Sequence, residues 1–359
     1  MMIITDFSAV CNLGESPEEI FNNACRGVLR EFRIDAKLPV ISDENYNLRC
    51  NRILLHCVNR LKDKIDLLIG KYGKKRVGIV IANANTGIDE FEDSENPEHI
   101  KIGNPAEFLK KILGLEGFYC AVSTACSSGI KVFSTAERLL ENDICDAVIA
   151  GGCDGLSRLP IAGFSALEVV SETRSIPFSK NRSGMNISEA GALFVLEKEG
   201  KGIKVLSTGE TSDAYHASTP EPEGIEAARA MELALSNAGL KADDIDYVNL
   251  HGTGTKANDL MEANAIYKVF ADKVPVSATK PLTGHCLGAA ASIETALCCA
   301  MLEYNPENYL LPHIYDGQYD NSLPKIRLAK KGKKLSKIQN VMCTAFGFGG
   351  TNAVIILGK

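Results

Sequence analysis

The chain has no Cys-x-x-Cys pair, although it contains 12 cysteines. Its thiols are scattered through 359 residues, and Cys298-Cys299 are adjacent. Such spacing speaks against structural zinc, and a chain this size, 45% hydrophobic, needs no disulfide scaffold. Most of these cysteines are expected to be buried and reduced. The chain also lacks an apolar run of membrane-spanning length, because Gly or charge interrupts the longest candidates. A basic excess is missing too. The 39 Lys+Arg against 45 Asp+Glu give a formal charge of −6, which argues against a general nucleic-acid-binding surface. Met1-Met2-Ile3-Ile4-Thr5-Asp6 carries no basic-then-apolar leader, so the cytoplasm is the expected location.

What is present is a long α/β pattern, sufficient for one large fold or two packed halves. A short strand opens the chain, and Ser16-Pro17-Glu18-Glu19 reads as a capped helix start running to Gly27. A second helix is expected near Asn51 to Ile69, then a fully buried strand at Val77–Ala82. The acidic segment Asp89 to Glu98 reads as a solvated loop, and a helix at Pro105 to Leu113 follows it. Three later stretches mirror earlier ones. Asp246–His251 mirrors the strand at Val77, Pro275–Ala278 with its helix from Leu287 mirrors Tyr119–Val122 and its helix, and Asn352–Lys359 echoes the strand at Gly191. This internal repeat predicts two similar halves, 1–202 and 203–359, with helix layers covering both sheet faces in a two-sheet, five-layer αβαβα arrangement.

The organising stretch is Tyr119 to Lys131. A strand ends in small residues, Cys126 sits at the join, and a helical stripe of Ile130, Phe133, Ala136, Leu139 and Leu140 begins. Unpaired N–H groups in a helix's first turn favour a thiolate, so the Cys126 pKa is expected to be lowered. Ala125, Ser127, Ser128 and Gly129 leave the sulfur approachable. The plainer alternative is a small hydrophobe in a buried turn. Three glycine-flanked stretches join it: His251-Gly252-Thr253-Gly254-Thr255, Lys280-Pro281-Leu282-Thr283-Gly284-His285, and Phe346 to Asn352. Each alone is ordinary, as His56, His99, His216 and His313 show. One Cys at a helix start together with two His in strand-end loops is not.

With Thr124-Ala125-Cys126-Ser127-Ser128-Gly129, these stretches resemble the four signatures of the β-ketoacyl-acyl carrier protein synthases. The similarity is to the elongating Cys-His-His type with the thiolase fold, ketosynthase II above all. It runs from about Arg76 to the C-terminus, and Ala150-Gly151-Gly152, Pro177 to Arg182 and Ser212 to His216 fit as well. The resemblance implies an acyltransferase in which Cys126 carries the acyl chain as a thioester. It implies that His251 and His285 stabilise the enolate left by decarboxylation of malonyl-carrier. Lys280 is then a charged organiser paired with Glu262, and the Cys126 and Phe348 N–H groups hold the tetrahedral oxyanion. Thr253, Thr255 and Ser218 contact the phosphopantetheine arm, and Phe346, Phe348, Gly349 and Gly350 form a gating turn. The implied partners are an acyl carrier protein, docked by Arg49, Arg52, Lys180 and Arg182, and a second copy or related subunit. No metal or redox cofactor is implied.

The chain departs from that pattern at Ser183, where an acid is usual, and in Ser188-Glu189-Ala190-Gly191-Ala192, which replaces a more glycine-rich turn. It is also shorter between Asn83 and Gly117. There the acidic run should face water, leaving Ile100, Ile102, Phe108, Leu109 and Leu113 to close the acyl pocket or a dimer contact. Thiolase fits less well, because His285-Cys286 lacks the Cys-Gly-His context of its second cysteine. A chalcone-type synthase would need Asn in place of His285, and a papain-like hydrolase accounts for only one of the two His. The main alternative is a chain-length-factor-like, non-catalytic or initiation partner of a heterodimeric synthase. Such partners lack the nucleophile that Cys126 supplies.

Overall fold

A computed structural model describes residues 2–359. The first half runs β1 (Met2–Cys11), α1 (Pro17–Cys25), α2 (Arg49–Tyr72), β2 (Val77–Ala82), α3 (Ile88–Ser94), α4 (Asn104–Leu113), β3 (Tyr119–Val122), α5 (Ser128–Glu141), β4 (Ala147–Asp154), α6 (Arg158–Ala166) and β5 (Ala190–Glu197). The second continues with β6 (Ile203–Ser212), α7 (Ile225–Ala238), β7 (Tyr247–Leu250), α8 (Lys256–Phe270), β8 (Pro275–Ala278), α9 (Lys280–Thr283), α10 (Ala290–Glu303), β9 (Arg327–Leu328), β10 (Asn340–Gly347) and β11 (Thr351–Gly358).

The strand order exposes the repeat. It is β3-β2-β4-β5-β1 in the first half and β8-β7-β10-β11-β6 in the second, with β9 added beyond β8. In each half the first three strands are parallel and the last two antiparallel. The sequence predicts two separate sheets. In the structure β1 pairs antiparallel with β6 through Met2–Ile4 and Ile203–Val205, so all strands form one 11-stranded sheet. The two edges that would otherwise need covering satisfy each other's backbone.

Alternation along the strands builds the layers. Val80 and Ala82 of β2 enter a central core with α5 and α10, whereas Ile79 and Ile81 face an outer core with α2 and α4. On the other half Val248, Met342, Val354 and Ile356 meet α7 and α8. This is the period-2 logic of a sheet covered on both faces. Helix α10 lies in the middle, and every residue from Ala290 to Leu302 is buried. It therefore shows no polar stripe.

One local expectation fails. The acidic segment after Ile88 is not a loop but α3 followed by a short helical turn at Pro97–Ile100. No residue of α3 is buried, so no apolar stripe marked it in the sequence. Its carboxylates have partners instead. Arg158 reaches Asp89, Glu92 and Asp93 at 3.7, 3.2 and 3.2 Å, and Glu90 accepts the Arg49 N–H at 2.7 Å.

Strands β4 and β5 leave no room for a side chain at Gly151, where a Cβ would lie 2.0 Å from the Ala192 carbonyl oxygen. Gly151→Ala is expected to cost about 1–3 kcal/mol by overpacking. Urea unfolding checks this, with a lower midpoint at unchanged slope as the expected result.

Candidate active site

The sequence-predicted residues converge beyond the C-terminal ends of parallel strands. Cys126 follows β3, His251 follows β7, Lys280 and His285 follow β8, and Phe348 follows β10. The turn before α5 is held tightly. Ala125 is left-handed at φ +52°, a costly conformation for a side-chain-bearing residue. Ser128 Oγ accepts the Thr124 N–H at 2.8 Å and donates to the Ala125 carbonyl at 2.6 Å, while Ser127 Oγ donates to the Thr124 carbonyl at 2.8 Å. Both serines are buried and fix the turn rather than opening it. Gly347 permits the opposite wall, since a Cβ there would lie 3.1 Å from the Cys126 nitrogen.

The imidazoles are oriented from behind. Lys280 Nζ donates to the His251 carbonyl at 2.6 Å, to Glu294 Oε1 at 2.6 Å and to His251 Nδ1 at 3.2 Å. The expected Lys280–Glu262 pair is therefore replaced by Lys280–Glu294, with both partners 1% exposed. Glu262 supports the site differently, accepting the backbone N–H groups of His251 and Gly252 at 2.7 Å each. His285 is held by its neighbours: Nδ1 accepts the Leu287 N–H at 3.0 Å, and the His285 backbone N–H donates to the Asn186 carbonyl at 2.7 Å. The two rings stand at 88° with centroids 5.6 Å apart.

Because each Nδ1 accepts a hydrogen bond, the proton of each neutral ring sits on Nε2. The site thus presents two N–H donors beside a thiol. Cys126, His251 and His285 each bring a ligand-type atom within 4.8 Å of the others. A metal would require lone pairs on Nε2, which the occupied Nδ1 positions and the adjacent Lys280 charge disfavour. Burial holds His251 and His285 well below the usual histidine pKa, helped in both by the Lys280 charge. Burial also pushes Glu262 and Glu294 up to about 7.

Cys126 departs from expectation. Burial pushes its thiol up to about 11, although the Lys280 charge and the Phe348 N–H pull the other way. Removing a thiolate from water costs more here than one helix end and one ammonium return. The Phe348 and Cys126 N–H groups do face the sulfur, as an oxyanion pocket requires.

A cavity of about 600 Å³ opens onto this group. Thr253, Thr255, Ser218, Phe346, Phe348, Gly349 and Gly350 line it. Phe348 meets Phe164 edge-on at 5.5 Å between centroids. The predicted docking cations mostly do not present free charge. Arg182 is buried, with Nη1 2.6 Å from Asp320 and Nε 3.4 Å from Asp259. Arg49 is spent on Glu189 at 2.6 Å, and half-buried Arg52 donates to Asn47 at 2.8 Å. Lys180 alone of the four is exposed. Phe108 and Leu109 pack in the outer core, and Ile100 and Ile102 are 42% and 39% exposed. Along with Leu113, none of these lines the cavity. Sequence reasoning missed Glu294, Phe164 and exposed Lys256 on the cavity rim. Glu294 left a signal, as the lone carboxylate among the buried residues of α10.

Residues 104–201 match the family model described as the β-ketoacyl synthase N-terminal domain, and 203–309 match that of its C-terminal domain. A chain from the solved complex of a ketosynthase with its chain length factor, from Xenorhabdus doucetiae, is 35% identical. It superposes with a TM-score of 0.93 over 99% of this chain and 97% of that one. The 3-oxoacyl-[acyl-carrier-protein] synthase 2 of Vibrio cholerae is 28% identical, covering 98% of this chain and 92% of its own. Its counterpart from Coxiella burnetii is 34% identical over 68% of this chain and 63% of its own.

With the thiol at about 11, iodoacetamide labelling of Cys126 should climb about tenfold per pH unit from pH 7 to 10, following the thiolate fraction. Lys280→Met removes the cation that favours the thiolate, so labelling should be slower at every pH. Peptide mapping of labelled protein reads both, and a rate plateau near pH 8 would contradict the raised pKa.

Proposed function

The chain belongs to the β-ketoacyl synthase family, and from that premise we propose that it condenses an acyl group, held on Cys126, with a malonyl unit on an acyl carrier protein. The observation that carries this reading is the convergence of two Nε2–H donors and two backbone N–H groups on one buried thiol.

The first half-reaction is thioester exchange. Cys126 Sγ attacks the acyl thioester while its proton passes to the departing pantetheine sulfur, so no charge is left in the site. The N–H groups of Cys126 and Phe348 hold the transient oxyanion. Malonyl thioester then enters. Carbon dioxide leaves, and the electron pair of the broken C–C bond forms an enolate whose oxygen takes hydrogen bonds from His251 and His285. The enolate carbon attacks the acyl carbonyl, the tetrahedral oxyanion collapses, and Cys126 leaves as thiolate and regains a proton from water. This sequence calls for no redox cofactor and no metal.

The carrier's anionic surface is proposed to meet exposed Lys256, which lines the cavity, and exposed Lys180, two residues before the cavity-lining Arg182. Thr253, Thr255 and Ser218 then contact the pantetheine arm within the cavity. A second copy or related subunit is proposed to cover the free edge of β3, where Phe118 and Tyr119 are each 41% exposed. No helix among the described residues is long and apolar enough to cross a membrane. Twelve free cysteines fit a reducing compartment, and the cytoplasm is the proposed location.

Intact-mass measurement after incubation with a panel of acyl-carriers tests the nucleophile, an acyl adduct on Cys126 being the expected result. Absence of any adduct would favour the non-catalytic partner reading. His251→Ala or His285→Ala should still acylate Cys126, while malonyl decarboxylation falls about a hundred- to a thousandfold. If neither variant acylates, the imidazoles act on the thiol instead.

A further inference from the structure

Asp154, the last residue of β4, is fully buried and lies outside the cavity wall. Its carboxylate gathers backbone N–H groups from two separate segments. Oδ1 accepts Asn85 at 2.9 Å, Ala84 lies 3.1 Å from both oxygens, and Oδ2 accepts Ala289 at 3.2 Å. The Gly288 N–H faces it as well. A Cβ on Gly288 would sit 2.8 Å from Oδ2, so the turn after His285 presses directly on this carboxylate.

That turn is not one the chain adopts freely. Leu287 is left-handed at φ +52°, which is unfavourable for a branched aliphatic residue. Its N–H is the donor that occupies His285 Nδ1 at 3.0 Å. The carboxylate binds the two N–H groups immediately after Leu287 and offsets the cost of its conformation.

We propose that Asp154 is a positioning residue for His285, anchoring the Leu287–Ala289 turn so that the ring keeps its proton on Nε2 and its donor aimed into the cavity. Asp154 touches no reacting atom and acts through the turn. Without it the turn relaxes, Nδ1 loses its donor, and the proton redistributes between the two ring nitrogens. A ring with its lone pair on Nε2 cannot stabilise a negative oxygen. The inference rests on the reading of His285 as an enolate donor.

Asp154→Asn keeps the size of the side chain and replaces one accepting oxygen with an NH2 group that cannot accept a backbone N–H. In protein labelled with ¹⁵N-histidine, the wild type should show His285 as a single Nε2–H tautomer, and the variant a mixture. Acylation of Cys126 should stay within about threefold of wild type, while malonyl decarboxylation falls at least about tenfold, because only the second half-reaction uses that donor. An unchanged His285 signature, or equal losses in both half-reactions, overturns the proposal. If Asp154→Asn does not fold, Gly288→Ala displaces the same turn and is judged by the same readouts. If neither folds, Asp154 is a structural strut and the proposal fails. A wild-type protein without decarboxylation would sink the functional reading, yet the tautomer measurement would still decide the role of Asp154.

Discussion

The site depends on one buried ammonium. Lys280 Nζ simultaneously fixes the His251 carbonyl, the His251 ring and Glu294, at an exposure of 1%. Isolated, such a charge would cost several kcal/mol to bury, and removing one partner of a buried pair typically costs about 3–5 kcal/mol. Its position is justified by what it organises. Three donors on one tetrahedral head lock a tautomer, bias a thiol and tie the loop after β7 to the central helix α10. Removing Glu294 would leave the cation unneutralised, and removing Lys280 would free the His251 ring.

The duplicated topology makes this arrangement possible. Parallel strands present their C-terminal ends on the same side within each half, and the β1–β6 join fixes the halves relative to one another. A Cys from the first half and two His from the second can then meet within 4.8 Å although 159 positions separate Cys126 from His285 (285 minus 126). Small residues where α5 crosses α10 allow the approach. A Cβ at Gly129 would lie 2.4 Å from the Ser292 nitrogen.

Much of this was legible in the sequence, and the reasons are local. Buried strands such as Val77–Ala82 declare themselves by continuous apolar character, and the site loops by glycines flanking Cys or His. What escaped was pairing across the fold. Nothing near Lys280 distinguishes Glu294 from Glu262 as its partner, because the choice is made by how α10 lies against α9. Arg49 and Arg182 looked like surface cations, yet Glu189, Asp259 and Asp320 neutralise them. The α3 carboxylates read as a solvated loop because a helix with no buried face leaves no periodic signal. The Cys126 pKa was misjudged for a related reason. Helix-end polarity can be read from sequence order, but desolvation depends on residues remote in the chain.

The raised thiol and lowered imidazole pKa values belong to one design. With Cys126, His251 and His285 all neutral at rest, the proposed thioester exchange moves a proton from sulfur to sulfur and builds no lasting charge. The proposed decarboxylation differs, because an anion must appear inside the cavity. The burial that penalises a Cys126 thiolate also strips water from both Nε2–H groups, so their hydrogen bonds to a developing oxyanion are stronger than in solvent. A more positive pocket would ease the second step and also favour premature ionisation of the thiol. A wetter one would lower the thiol pKa and weaken the donors. Lys280 balances the two, since its charge lies behind His251 where it favours an anion at either site, and Glu294 limits how strongly.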